Sequence, residues 1–245
     1  MTRNRPVPVF SPEDESFVRS LVLFQDSDVM VFNKPSGLPV QSGSGVDRSL
    51  DSLLGVFARS NGKRPRLVHR LDVGTSGIVI VAKTKPAAAF LSAEFSERRA
   101  KKTYVALVGG ELPLASEGRI DLPLVKVKEM GRDRMIAARP GRAGAQSART
   151  GWRILQSNGG SAMFELSPET GRMHQIRIHL AHLGCPIVGD GLYGGECNGR
   201  ERLMLHAAAL DITLPSGERQ AFAAPVPGEF ADAQRARGLT GQSGL

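Results

Sequence analysis

An α+β fold built on a mostly antiparallel sheet is what this sequence predicts, and three observations predict it. Strand-like runs are many, helices are few, and the two lack the regular βαβ rhythm of a parallel sheet. A wholly apolar run that no other in the chain exceeds, Ile78 to Ala82, lies inside a β-branched stretch at 77–83, as in a strand buried on both faces. The 245 residues, 41% of them hydrophobic, are enough for one sizeable core.

Residues 1–15 are Pro-rich and polar and are expected to form a flexible end. Residues 21–24 and 29–33 read as strands around a turn at Asp26-Ser27-Asp28. From Lys34 to Pro39, two prolines and a glycine exclude ladder and helix alike. Leu50, Leu53, Leu54, Phe57 and Ala58 then make one apolar helix face, with Asp47 as the expected cap. Residues 66–70 are short and β-like. Pro86 opens a helix whose inner side is Ala87, Phe90, Leu91 and Phe95. Residues 103–108 alternate as a strand, and 149–155 pairs with 162–166 around Asn158-Gly159-Gly160. Residues 173–184 fit both periods, but the stop signals Gly184 and Pro186 decide for a helix. Residues 204–212 and 220–223 supply late strands. The expected layout is a flexible segment 1–15, a single domain 16–230 and a poorly packed tail 231–245.

Lys and Arg number 32 against 24 Asp and Glu, a net charge of +8, which favours a polyanionic partner. The surplus is localised. Residues 125–149 hold Lys126, Lys128, Arg132, Arg134, Arg139, Arg142 and Arg149, opposed only by Glu129 and Asp133. Further clusters are Arg98, Arg99, Lys101 and Lys102, and Lys63, Arg64, Arg66 and Arg70. With two Tyr and one Trp in the chain, the pattern suits phosphate contact better than base stacking. No apolar run approaches the ~18 residues of a membrane span, and the opening MTRNRPVPVF lacks an apolar signal core. Cys185 and Cys197 set no disulfide framework and match no zinc spacing. The expectation is a soluble protein of a reducing, cytoplasmic compartment.

The segment from His69 to Gly77 is the most informative. It places a carboxylate, Asp72, in a turn between apolar runs, beside a His and an Arg and ahead of hydroxyls and glycines. Loops at strand ends are where a rigid scaffold positions reactive groups. His174, His179, His182 and Cys185 invite a metal reading, but on a helix residues five apart sit ~500° around and miss each other's face. No metal is expected, and no Gly-rich phosphate loop of the P-loop or dinucleotide-binding type is present.

His69–Gly77 resembles the HRLDxxTSG signature of the RluA family of pseudouridine synthases. Asn33-Lys34-Pro35-Ser36-Gly37 is similar to that family's NKPxG loop, and the run from Lys102 to Gly109 to its KxYxAxVxG strand. Thr170-Gly171-Arg172-Met173-His174-Gln175-Ile176-Arg177 resembles TGRxHQIR. Gly189-Asp190, Leu192-Tyr193-Gly194, Leu205-His206-Ala207 and Phe222-Ala223-Ala224-Pro225 follow in family order. Met173 and Cys185 depart mildly from it.

The resemblance implies a single catalytic domain around a long, bent, mostly antiparallel mixed sheet flanked by helices and loops. It implies conversion of uridine to pseudouridine in structured RNA, ribosomal or transfer, an isomerisation without net redox or energy input that needs no cofactor; a monomer is the default expectation. Asp72 matches the catalytic aspartate, acting as nucleophile toward the uracil ring or the anomeric carbon, or as base toward the 2′ carbon. Arg177 matches the arginine that pairs with it, its fork able to hold the carboxylate bidentately. Tyr104 matches the tyrosine that stacks on the flipped base and is a candidate proton acceptor. Arg70 is expected to fill the space the base leaves. His69, Thr75, Lys34, Arg172, His174 and Gln175 complete the substrate-binding candidates. The competing reading is a catalytically silent RNA-binding protein on the same fold; the intact set of Asp72, Tyr104 and Arg177 argues against it. The resemblance runs from about residue 20, and the ~20 residues before it are expected to be too few for the helical RNA-binding domain many relatives carry.

Overall fold

The computed structural model describes residues 10–42, 48–129, 132–139, 141–197 and 201–239. Its elements are α1 (Pro12–Ser20), β1 (Val22–Gln25), β2 (Val29–Lys34), α2 (Leu50–Leu53) with a 3-10 turn (Leu54–Phe57), β3 (Arg66–Leu67), β4 (Ser76–Ala82), α3 (Lys85–Ser96) and β5 (Lys101–Gly109). Then come β6 (Glu117–Asp121), β7 (Leu124–Glu129), β8 (Arg132–Ala137), β9 (Arg149–Asn158), β10 (Ser161–Pro168), α4 (Gln175–His182), β11 (Leu205–Thr213), β12 (Arg219–Ala223) and α5 (Gly228–Ala236). No helix among the described residues is long and apolar enough to cross a membrane.

The main sheet runs β1-β2-β4-β11-β5-β10-β9-β6, with β3 beside β4 and β12 beside β11; β7 and β8 form a separate hairpin. Every pairing is antiparallel except one. β4 and β11 run parallel and meet over two residue pairs, His206 opposite Ser76 and Ala207 opposite Gly77. The sheet is therefore two antiparallel halves joined at a short central seam.

β4 explains why the apolar run at 78–82 has no polar alternation. All seven of its residues are buried, because both faces are covered. Ile78 and Ile80 pack toward Ala87 and Leu91 of α3. Val79 and Val81 pack on the other side with Phe32, Leu50 and Leu54. The second half has its own core, in which Trp152 stacks on Phe164 with ring centroids 5.4 Å apart.

Three expectations are corrected. The expected segment 1–15 already contains the start of a helix, which runs from Pro12. Ser11 caps α1 by accepting from the Asp14 N–H, Pro12 opens the helix and acidic residues fill its first turn, each favourable at a helix N-terminus. The tail is not loose through residue 239, since α5 buries Phe230 and Ala233, and Leu239 follows them into the core. The cap of α2 is Ser49, in a reciprocal capping box with Ser52. Asp47, residues 1–9 and residues 240–245 lie outside the described residues.

The seam depends on one glycine. Gly77 has φ +111, and a Cβ there would stand 2.2 Å from the Ala207 carbonyl oxygen. Gly77→Ala combines a forbidden contact with backbone strain and should cost on the order of 3 kcal/mol or more. Urea unfolding of the purified variant, with the midpoint shift read against wild type, measures it.

Candidate active site

Next to the seam, walled in part by Thr75 and Leu205 that flank it, lies a cavity of about 490 Å³, within the usual range for ligand sites. Asp72 reaches it from the loop ahead of β4, Tyr104 from β5, and His174 and Arg177 from the start of α4. Arg70, Thr75 and Arg172 line it as well. The three residues expected to carry the chemistry are thus brought together, and they come from both halves of the sheet.

Asp72 is held from behind. The Thr75 N–H donates to the Asp72 carbonyl at 3.1 Å, closing the turn. Lys34, expected as a substrate contact, lies behind this loop, off the cavity wall. It is fully buried, and its Nζ donates to the carbonyls of Pro35 (3.0 Å), Leu38 (2.9 Å) and Val73 (3.2 Å). All three ammonium hydrogens are taken, so Lys34 staples two loops together. Burial pulls it down to about 7, opposed by the Asp72 charge.

The expected bidentate grip of Arg177 on Asp72 is also corrected. Arg177 Nε and Nη2 donate to Asp190 Oδ2 and Oδ1, both at 2.8 Å. Asp190 is buried, and it takes the fork. What remains for Asp72 is Nη1, 3.6 Å from Oδ2. That is charge pairing beyond hydrogen-bond reach. Among the described residues, Asp72 is therefore electrostatically held with no side-chain hydrogen bond taking up its lone pairs, which suits a group that must itself attack or accept. The Arg177 guanidinium also lies over the Tyr193 ring, 5.1 Å from its centroid.

His174 stands on the other flank. It is one of two non-glycine residues with positive φ among those described, at +55, a conformation that costs energy and collects at functional sites. Tyr193 donates its hydroxyl to the Met135 carbonyl at 2.9 Å, so its oxygen accepts from His174 Nδ1–H at 2.9 Å. This leaves His174 Nε2 facing Asp72 Oδ2 at 3.9 Å. Burial lowers the His174 pKa, with the Asp72 charge opposing, so the ring is neutral at pH 7.

Tyr104 is a neutral phenol. Burial first, and the Asp72 charge second, push its hydroxyl further above its ordinary value. That environment opposes the proton-acceptor role and leaves Tyr104 suited to stacking.

Two more substrate candidates line the cavity with side chains tied into the surrounding structure. Gln175 is buried; its amide donates to the Arg149 carbonyl and Thr150 Oγ1, and its oxygen accepts from Thr170 Oγ1 and the Arg172 N–H. All of its hydrogen-bonding capacity is in use. His69 stacks on Phe95, centroids 4.4 Å apart, and its Nε2 accepts from the Ile80 N–H at 3.0 Å. Burial, and then the Lys102 charge, hold it down at about 3. His179 joins Thr150 Oγ1 and the Leu122 carbonyl, a structural tie. No cluster of metal-ligating residues occurs among the described residues.

Asp190 and Tyr193 are the functional residues that sequence reasoning left without a role. Both stand in quoted motifs, and only the fold shows Asp190 facing Arg177. Its backbone position rests on Gly189, where φ is +79 and a Cβ would stand 2.0 Å from the Arg202 carbonyl oxygen.

A pH prediction follows from the seam. Ser76 donates to His206 Nδ1 at 2.9 Å and His206 Nε2 to the Ala224 carbonyl at 3.1 Å. Burial, against the pull of that carbonyl, holds His206 down at about 4. Below the unfolded value of about 6.5 the unfolded chain takes up a proton that the folded chain refuses. This contribution, roughly 3 kcal/mol, is complete above pH ~6.5 and is lost as the pH falls from there toward 4. Thermal melts across that range should steepen accordingly, and less so for His206→Asn.

The model of the family described as RNA pseudouridylate synthase matches residues 28–182. An uncharacterized RNA pseudouridine synthase of Zymomonas mobilis is 39% identical over 214 residues, 86% of this chain and 95% of that one. The dual-specificity RNA pseudouridine synthase RluA of Yersinia pestis is 41% identical over 80% of this chain and 93% of its own. Among solved structures, human RNA pseudouridylate synthase domain containing 4 superposes with a TM-score of 0.77 at 28% identity, covering 91% of this chain and 96% of that one. A sheet of this order, a carboxylate at its seam and these matches lead to one conclusion: the chain belongs to the RluA family of RNA pseudouridine synthases.

Proposed function

We propose that the chain isomerises uridine in ribosomal or transfer RNA, with Asp72 as the catalytic carboxylate. The observation that carries this is Asp72 itself, charge-paired with Arg177 yet, among the described residues, without a side-chain hydrogen bond, in one cavity with Tyr104. A uridine within a helix must leave its stack to enter, at a cost of a few kcal/mol; Arg70, exposed at the cavity edge, is placed to fill the gap. The flipped base stacks on the neutral Tyr104 ring. Asp72 then assists cleavage of the N1–C1′ bond, as nucleophile or as base, and Arg177 balances its charge. The base turns, C5 bonds to C1′, and the C5 proton leaves while N1 gains one, so the reaction is balanced without redox or energy input.

The dual specificity in the name of the Yersinia pestis relative supports two RNA classes as substrates. The positive residues at 125–149 supply the backbone contact: Lys126, Arg134 and Arg149 pair with Asp133, Glu129 and Glu169, and among the described residues Lys128, Arg139 and Arg142 are exposed and left for phosphate. Transcripts of both RNA classes carrying tritium at uridine C5 test the proposal. Tritium release with mapped pseudouridine from either class is expected; no release from both, with RNA binding intact, would leave only the silent binder.

A further inference from the structure

α3 ends in a way that its sequence makes costly. The Arg98 N–H donates to the Phe95 carbonyl and the Arg99 N–H to the Glu94 carbonyl, the paired closure whose central residue is left-handed and usually glycine. Here that residue is Arg98, at φ +61. Its side chain lines the catalytic cavity.

Beside it is Lys102, also on the cavity wall. Burial lowers its pKa, and the Arg98 charge lowers it further. Two cations thus stand close enough to repel each other in a partly desolvated place. Among the described residues neither has a carboxylate partner, and neither side chain donates to the free carbonyls of α3. The contrast with the next residue is sharp, because Arg99 pairs with Glu94 and Glu97. Lys102 stands two residues before Tyr104 on β5, so both project from one face, roughly 7 Å apart along the strand. The Lys102 ammonium also lies against Gly171, 3.8 Å from where a Cβ would stand, on the far wall of the cavity.

We propose that Arg98 and Lys102 together hold one backbone phosphodiester of the RNA adjacent to the nucleotide stacked on Tyr104; this rests on the function proposed above. A phosphate relieves the repulsion, matches the donors of both side chains and gives a reason for an arginine in a glycine position. The pair acts as a ruler, fixing how far along the strand the flipped base lies from a gripped phosphate.

Equilibrium RNA binding against salt tests this without relying on turnover. Single methylphosphonates are placed at each linkage from two before to two after the target uridine. Wild type should lose about tenfold in affinity at one linkage. Arg98→Gly and Lys102→Gln should each weaken native RNA, the double variant should lower the salt slope by about 0.7, and neither should weaken the RNA already neutral at that linkage. Arg98→Gly should melt at or above the wild-type temperature, because glycine relieves the left-handed strain. Equal losses at every linkage, or variants that add their full loss to each methylphosphonate, overturn the phosphate site. Failure of tritium release from tight-binding RNA overturns the function instead.

Discussion

Asp72→Asn is expected to abolish pseudouridine formation, lowering turnover by at least about 10⁴-fold, as loss of a group that itself forms or breaks bonds does in other enzymes. The isostere fills the same space and removes the charge and the nucleophile together. Stability should change by no more than about 1 kcal/mol, because the side chain accepts no hydrogen bond from the described residues and its ion pair with Arg177 spans 3.6 Å. Single-turnover tritium release and a thermal melt on the same preparation separate the two effects. RNA affinity should be retained or slightly increased, since one negative charge leaves a cavity that must receive a polyanion. A variant that still turns over at more than a hundredth of the wild-type rate would remove Asp72 from the mechanism.

The second large effect is expected at a residue that cannot touch the substrate. Asp190→Asn leaves a buried guanidinium with its hydrogen-bonded partner uncharged. Breaking one side of a buried pair costs about 3–5 kcal/mol, and Arg177 has only Asp72 to turn to. Arg177 should then swing onto Asp72 and take up the lone pairs the reaction needs. Activity should fall at least tenfold beyond what the unfolded fraction explains, with a lowered melting temperature. Combining Asp190→Asn with Asp72→Asn should restore no activity but should cost more stability than the sum of the two, since the guanidinium then loses both anions. Denaturant titration of the four proteins in that cycle is the measurement.

How much of this could be read in advance differs from element to element. β4 was plain because a strand buried on both faces must be an unbroken apolar run, and α4 because Gly184 and Pro186 end a helix and not a strand. β6 was invisible for the opposite reason. Only Ile120 of its five residues is buried, so an edge strand of this kind has no alternation to show. α1 was legible and misread: Ser11, Pro12 and the acidic first turn are start signals, outweighed by the prolines around them. α5 follows a proline and buries Phe230 and Ala233, a stripe too short to stand out.

The site divides the same way. Asp72, Tyr104 and Arg177 were reached through motifs and do share a cavity. A motif names a residue type, however, and not the direction of its side chain. Lys34 and Gln175 have the chemistry of substrate contacts, but the fold turns them inward onto carbonyls and hydroxyls. Asp190 was the converse. Its place beside Arg177 exists only once the chain from 183 to 195 has folded back over α4, and no local pattern announces it.

The two-residue join between β4 and β11 has a consequence for how this molecule tolerates change. Asp72 belongs to one half of the sheet, while Tyr104 and Arg177 belong to the other, so along the strands their spacing runs through the Ser76–His206 and Gly77–Ala207 pairs. Damage far out in β9 or β10 weakens its own half and leaves that spacing alone. An equally damaging change beside Ala207 misaligns the reacting groups. Robustness is therefore unevenly distributed, and two variants with identical melting temperatures need not resemble each other in catalysis.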